Sequence, residues 1–270
     1  MNELTKDSID LIVTSPPYFN ALNYDSKNKN NRSDMDYNQF LKWLGDCFKE
    51  CLRVLKPGRM CCVVISTVLY NQKSYALPYH FVSLMEQLGF EFHQDIIWRK
   101  MTANTKRVDI TVQNPYPGYY YPIFTFEHIL VFKKPGPKIY SGRTRKERFE
   151  SRIPINEFFV NEISNNVWNI NTIAPYQYDH PCPFPEEIPH RLIMLYSYKG
   201  DVVLDPFLGS GTTAAVALAM NRRFCGYDIR KRYIDLTRKR LDEPVFLGNG
   251  FSCEYKKLPR KLLSPKLNLM

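Results

Sequence analysis

Two short tracts hold the residues best suited to chemistry: Thr14-Ser15-Pro16-Pro17-Tyr18 near the N-terminus and, far along the chain, Asp205-Pro206-Phe207-Leu208-Gly209-Ser210-Gly211-Thr212-Thr213. In the first, the Ser15 hydroxyl and the Pro16 carbonyl can both accept hydrogen bonds, and two successive prolines stiffen the backbone so that the carbonyl keeps its aim. Fixed acceptors suit an exocyclic amine, whose lone pair is delocalised into its ring and which must be held in line with an electrophile. Tyr18 offers a face on which an extruded base would stack. Such chemistry calls for neither a metal nor a covalent intermediate. In the second tract the glycines let backbone approach a ligand, and the helix start behind them offers free N–H groups, a corner for an anion or a nucleoside. Gly209 to Ala214 fits the spacing of dinucleotide folds, and Asp228, at the end of the next strand-like run, is placed for ribose hydroxyls. Asp205-Pro206-Phe207 departs from that pattern, because a dinucleotide fold runs from strand directly into glycine. Pro181-Cys182 offers a third reading, a ring-attacking thiol, but it lies between prolines ahead of a helix rather than at a strand end.

Each tract follows a compact apolar run, and an open α/β sheet collects its ligands just past the carboxyl ends of its strands, so two remote stretches can build one site. Residues 9 to 14 are expected as a buried parallel strand. Phe40, Leu41, Leu44, Phe48, Leu52 and Leu55 recur at helical spacing, with Pro57-Gly58 as the expected stop and 60 to 66 as the next strand. Phe81, Leu84, Met85 and Leu88 mark a second helix ended by Gly89, followed by strands over 91 to 98 and 126 to 132. Residues 24 to 36 and 100 to 122 read as loops, and the charged stretch 135 to 168 as a small appended module. A helix then begins at Pro185 with Glu186 and Glu187 in its first turn and stops at Gly200. Beyond it the pattern is strand (202 to 205), helix (212 to 220), strand (224 to 228) and helix (233 to 241).

Together the tracts resemble the permuted, or beta, class of S-adenosylmethionine-dependent DNA amino-methyltransferases of TSPPY type, in which the catalytic motif precedes the cofactor motif. The resemblance covers most of residues 8 to 249. It implies an α/β fold, a doubly wound, mostly parallel Rossmann-like sheet with a small recognition insertion. It also implies S-adenosylmethionine as cofactor, in a pocket formed by Asp205, Pro206, Phe207, Gly209, Ser210, Gly211, Thr212, Thr213 and Asp228. Phe184 and Pro185, in His180-Pro181-Cys182-Pro183-Phe184-Pro185, would enclose the methionine end, and Asn249, closing a strand split off to 245 to 249, would touch the adenine. Catalysis and base holding would fall to Ser15, Pro16, Pro17 and Tyr18. Serine at the head of this motif resembles the N4-cytosine enzymes, and Asp or Asn the N6-adenine ones, a rule with exceptions. The expected reaction is therefore N4 methylation of a cytosine flipped from duplex DNA, with N6-adenine methylation on the same fold as the alternative. A nicotinamide-dependent oxidoreductase and a DNA-binding relative without turnover are the rival classes, and related motifs also serve RNA and protein glutamine.

The composition agrees with a polyanionic partner: 37 Lys and Arg against 27 Asp and Glu leave a formal charge of +10. Lys27, Lys29 and Arg32, then Lys106 and Arg107, then Arg143, Arg145 and Lys146 are the cations expected at double-stranded DNA. Arg230-Lys231-Arg232 and Arg238-Lys239-Arg240 read as solvated helix surface. The expected division is 1–134 and 169–253 as the catalytic and cofactor halves of one domain, 135–168 as the target-recognition insertion and 254–270 as a basic tail. Seven cysteines, an odd number without a C-x-x-C pair, point to free thiols in a reducing cytoplasm, and the family resemblance implies association with the nucleoid of a bacterium or archaeon. The apolar runs fall short of a bilayer span, so no membrane association is expected. A cognate restriction endonuclease and a homodimer are left open by these residues.

Overall fold

Strands that are apolar on both faces need a helical layer on each side, and the order of elements supplies it. The computed structural model describes residues 1–19, 35–101, 116–117, 124–173, 185–241, 245–248 and 253–256. Along them run β1 (Ile9–Thr14), α1 (Tyr37–Val54), β2 (Leu55–Ile65), β3 (Val68–Tyr70), β4 (Lys73–Tyr75), α2 (Leu77–Gln87), β5 (Glu91–Lys100), β6 (Phe126–Lys133) and α3 (Arg145–Glu150). A π-helical turn (Phe159–Ile163) leads to β7 (Val167–Ile170), α4 (Glu187–Tyr196), β8 (Val202–Asp205), α5 (Thr212–Ala219), β9 (Arg223–Gly226), α6 (Lys231–Leu241), β10 (Val245–Gly248) and β11 (Cys253–Lys256).

Seven strands form one sheet in the order β7-β5-β6-β2-β1-β8-β9. Of these, β6 alone runs against the rest, pairing antiparallel with β2 and β5 while the other pairs are parallel. Alternation along the strands assigns their side chains to two cores. Cys61, Val63, Ile65, Leu130 and Phe132 meet Phe40, Leu44, Phe48, Phe81 and Met85 of α1 and α2. Cys62, Val64, Ile129 and Val131 face the opposite way, toward Ile188 and Leu192 of α4, the alanines of α5 and Ile234 of α6. From β1 the chain crosses to β2 over the first face, and from β8 it crosses to β9 over the second. The connections thus diverge between β1 and β8, which is the point where an open sheet leaves a crevice for ligands.

Pro57-Gly58 does not stop α1. The helix ends at Val54, where Leu55 is already extended, and β2 begins at once. Pro57 and Gly58 instead form a bulge, since Ile9 lies opposite Leu55 while Leu11 lies opposite Met60. Gly58 takes φ +77° there and donates its N–H to the Lys134 carbonyl at 2.9 Å, and a β-carbon on it would lie 1.7 Å from the Pro137 oxygen.

The stretch 135–168 is stitched into the fold rather than appended to it. Arg59 donates to the Ile139 carbonyl at 3.0 Å. Arg143 pairs with Asp201 and, at 3.2 Å, with Glu147. At the far end β7 extends the main sheet, with Trp168 opposite Trp98 of β5. Residues 245–248 form the expected strand, but β10 pairs with β11 as a separate antiparallel ribbon instead of joining the sheet. Cys51, Cys61 and Cys62 are buried free thiols, and burial pushes all three up. Among the described residues no helix is long and apolar enough to cross a membrane.

Candidate active site

Because β1 and β8 are neighbours in parallel register, with Leu11 opposite Val203 and Ile12 opposite Leu204, the segments leaving their carboxyl ends emerge side by side. They are joined there by a buried bond: the Thr14 hydroxyl donates to Asp205 Oδ1 at 2.6 Å. The Thr213 hydroxyl reaches back to the Val13 carbonyl at 3.4 Å. The tracts singled out by their chemistry therefore meet at the carboxyl ends of β1 and β8. Asp205 Oδ1 also accepts the Phe207 N–H at 3.0 Å, and the side chain is 1% exposed. Burial pushes its carboxyl up to about 6, against the pull of these donors. Asp205 was expected to line the cofactor pocket, but its carboxylate is turned inward and holds the two tracts together.

The glycine turn is held from behind. Gly209 and Gly211 take φ +51° and +77°, a conformation that favours glycine. A β-carbon on Gly211 would come within 2.6 to 2.9 Å of Thr237 on α6. The Asp228 carboxylate accepts the Gly209 N–H at 3.0 Å and the Arg230 N–H at 2.9 Å, one on each oxygen. Ser210, Thr212 and Thr213, expected to contact the cofactor, have buried side chains that face the protein. Their backbone is what they can offer a ligand. Pro206 is half-buried at the head of the turn.

Arg240 corrects the surface reading of its run of cations. It is buried on the inner face of α6 and donates to the Thr212 hydroxyl at 2.9 Å, to the Ser210 carbonyl at 3.3 Å and to Glu186 Oε1 at 2.7 Å. One guanidinium thus ties the glycine turn to the start of α4. That helix begins at Glu187, two residues after Pro185, whose carbonyl accepts the Ile188 N–H at 3.1 Å. The spacing Tyr233, Ile234, Thr237, Arg240 and Leu241, the buried stripe of α6, was the signal that marked Arg240 as internal. Phe184, with Cys182, and Asn249 lie outside the described residues.

In the first tract Ser15, Pro17 and Tyr18 are half-buried and Pro16 is buried. The Tyr18 hydroxyl donates to Glu127 Oε2 at 2.6 Å, and Lys100 Nζ pairs with Glu127 Oε1 at 2.5 Å. Glu127 and Lys100 escaped the sequence reading, although an acid at the head of the apolar run Ile129 to Phe132 was a visible anomaly. Next to Tyr18, Phe19 is nested among the rings of Tyr37, Phe40, Tyr70 and Tyr75, with centroids 5.0 to 5.9 Å away. The Phe207 ring packs toward α1, 5.7 Å from Trp43 and 6.2 Å from Phe48.

Of the cations expected at DNA, Arg143 is excluded, because its guanidinium pairs with Asp201 and Glu147 and stacks 4.7 Å over Tyr198. Arg145 and Lys146 are exposed on α3, where Lys146 approaches Glu150 at 3.8 Å. Lys27, Lys29, Arg32, Lys106 and Arg107 lie outside the described residues.

The arrangement fits a nucleoside-bearing ligand. The Asp228 carboxylate stands just past the end of β9 against the glycine turn, with one oxygen on the Gly209 N–H and the other on the Arg230 N–H, and the glycines carry no side chain that would keep a ligand from the turn backbone. Comparison with known proteins agrees. The DNA methylase family profile, of N6 and N4 type, matches residues 9–239. Type II methyltransferase M.MthZI of Methanothermobacter thermautotrophicus is 32% identical over 274 residues, spanning 92% of this chain and 76% of its own length. DNA adenine methyltransferase YhdJ of Escherichia coli (strain K12) is 29% identical over 256 residues, spanning 90% and 79%. Among solved structures, TTHA0409 of Thermus thermophilus, a candidate DNA modification methylase complexed with S-adenosyl-L-methionine, aligns with a TM-score of 0.69. It is 30% identical and spans 88% of this chain and 87% of that one.

Proposed function

The chain belongs to the DNA methylase family of N6 and N4 type and takes S-adenosylmethionine as cofactor, and on that premise we propose that it methylates the N4 amino group of cytosine in duplex DNA. The observation that supports this reading is the Thr14–Asp205 bridge, which joins the residue ahead of Ser15 to the residue that opens the glycine-rich tract. When bound, the cofactor would supply an electrophilic sulfonium methyl; the acceptor nitrogen would bond to it as the C–S bond breaks, the electron pair staying on sulfur and the amine's proton passing to water. The work of the chain is to hold the acceptor. The Ser15 hydroxyl and the Pro16 carbonyl accept the two amino N–H groups and orient the nitrogen, and the stiff Pro16-Pro17 backbone needs little reorganisation. The Tyr18 ring receives the flipped base, with Glu127 and Lys100 fixing its hydroxyl end. Gly209, Gly211, Pro206, Phe207 and Asp228 form the cofactor side, with Phe184, Pro185 and Asn249 completing it. The phosphate contacts are assigned to Lys27, Lys29, Arg32, Lys106, Arg107, Arg145 and Lys146.

The choice of cytosine rests on Ser15, the residue that resembles N4-cytosine enzymes at this position. The likeness to YhdJ, an adenine methyltransferase, favours N6-adenine as the second reading. Nucleoside mass spectrometry of DNA treated with the protein decides between them: N4-methylcytosine is expected, and N6-methyladenine alone refutes the cytosine assignment. Ser15→Ala should still bind cofactor but lose most turnover, and full activity in that variant removes Ser15 from the chemistry.

A further inference from the structure

A duplex that delivers a base to Ser15 must lie across the carboxyl edge of the sheet, and the β3–β4 hairpin already stands on that edge. It leaves the carboxyl end of β2 and pairs Val68 with Tyr75, Leu69 with Ser74 and Tyr70 with Lys73. Its base is anchored beside the catalytic tract. Val68 is buried, and the rings of Tyr70 and Tyr75 lie 5.9 and 5.0 Å from Phe19, which follows Tyr18. Its tip is different in kind: Asn71, Gln72, Lys73 and Ser74 are all exposed. Strands of three residues carry such a tip about 10 Å from its anchor.

The turn itself is unusual. Asn71 and Gln72 take φ +48° and +61°. A two-residue turn with two left-handed positions matches the twist of the flanking strands, and glycine is its preferred second residue. Gln72 holds that position with a β-carbon, against the local preference. Strain kept at the rim of an active site points to a use for the side chain that causes it. Carboxamides make paired hydrogen bonds to base edges, and a lysine beside them suits a phosphate.

We propose that the β3–β4 hairpin is a DNA-contacting element, with Asn71 and Gln72 reading base edges that flank the acceptor and Lys73 meeting a phosphate. The proposal rests on the reading that the acceptor enters at Ser15. The test is N71G/Q72G, which removes both amides while giving the turn residues that adopt it without strain. Binding to duplex substrate is measured at fixed salt, together with cofactor binding, thermal midpoint and modified-base sequencing. The expected result is a DNA Kd raised about tenfold or more and a broadened site preference, with cofactor affinity unchanged and the midpoint equal or higher. Unchanged DNA affinity and site preference overturn the proposal, and so does an equal loss of cofactor binding, which would make the hairpin a structural strut. In K73Q the slope of log Kd against log salt should flatten by about 1, and an unchanged slope removes Lys73 from the contact. Failure of the reading at Ser15 is distinguishable, since it would appear as retained turnover in Ser15→Ala and would leave the DNA affinity of N71G/Q72G to be read by itself.

Discussion

Replacing Thr14 by valine keeps a buried β-branched side chain of similar size and deletes one hydroxyl, so it isolates the bond that joins the two tracts. That hydroxyl donates to Asp205 Oδ1 at 2.6 Å with both side chains out of solvent. A hydrogen bond to a charged group contributes about 1.5–3 kcal/mol, and its loss leaves a buried carboxylate short of one donor. The pH dependence separates this cause from a packing defect. Burial raises the Asp205 carboxyl from 3.8 to about 6 in the folded protein, while Thr14, the Phe207 N–H and Thr213 pull it down. A folded value above the unfolded one means that the native state binds the extra proton between them. The Asp205 contribution to stability is therefore most favourable below the unfolded value and declines as pH rises through about 6. Removing the Thr14 donor raises the folded value further. The deficit of Thr14→Val should thus be largest at pH 8, where parent and variant both bury an anion, and smaller at pH 5, where Asp205 is protonated and needs fewer donors. Urea titrations at both pH values would measure it, with a similar m in each protein. The expected deficit is about 1.5–3 kcal/mol at pH 8 and clearly less at pH 5. An equal deficit at both values, or none at pH 8, would refute the role given to the Asp205 charge. Methyl transfer should fall in the same variant, because the bond that registers Ser15 against the glycine turn is gone.

Other expectations follow from the same geometry. Arg240→Met leaves Glu186 without its guanidinium partner and should destabilise by about 3–5 kcal/mol, with cofactor affinity in the surviving folded fraction reduced more than DNA affinity; equal losses would make Arg240 a general core residue. Tyr18→Phe keeps the ring but loses the Glu127 bond, so kcat should fall a few-fold, whereas Tyr18→Ala should lose most turnover; equal losses would place the function in the hydroxyl rather than the ring. Gly211→Ala puts a β-carbon at φ +77° within 2.9 Å of Thr237 and should weaken cofactor binding, measured by calorimetry, by a factor of ten or more, given a backbone penalty of about 1–2 kcal/mol; parent-like affinity would show that the turn can yield.

What could be read along the chain was whatever neighbouring residues decide. β1 and β8 were legible because each holds three consecutive apolar residues, Leu11-Ile12-Val13 and Val202-Val203-Leu204, and the glycine turn because Gly209 and Gly211 need left-handed backbone. Their convergence was legible too, since ligands gather where parallel strands end. The failures share one cause, a partner remote in sequence. Pro57-Gly58 carried a strong stop signal, yet the segment ahead of it was already committed to pairing with β1. β7 is four residues long and exists because β5 offers it an edge. The β3–β4 turn lacks the Asn-Gly signature that marks most hairpins.

Charge shows the same limit most sharply, and it bears on function. A formal +10 suggested a basic surface for DNA, but it counts each cation alike. Arg143 and Arg240 neutralise Asp201 and Glu186, and Lys134 pairs with Asp7 at 2.7 Å. Arg191 is buried against Glu187, and Arg222 is held by the Ser197 and Met220 carbonyls at 2.8 and 2.7 Å. Those five cations are engaged in contacts inside the fold. Pairing removes cations and acids together, so the excess of positive charge is carried by other groups, and exposed residues such as Arg145, Lys146 and Lys73 should each alter the salt dependence of DNA binding when neutralised.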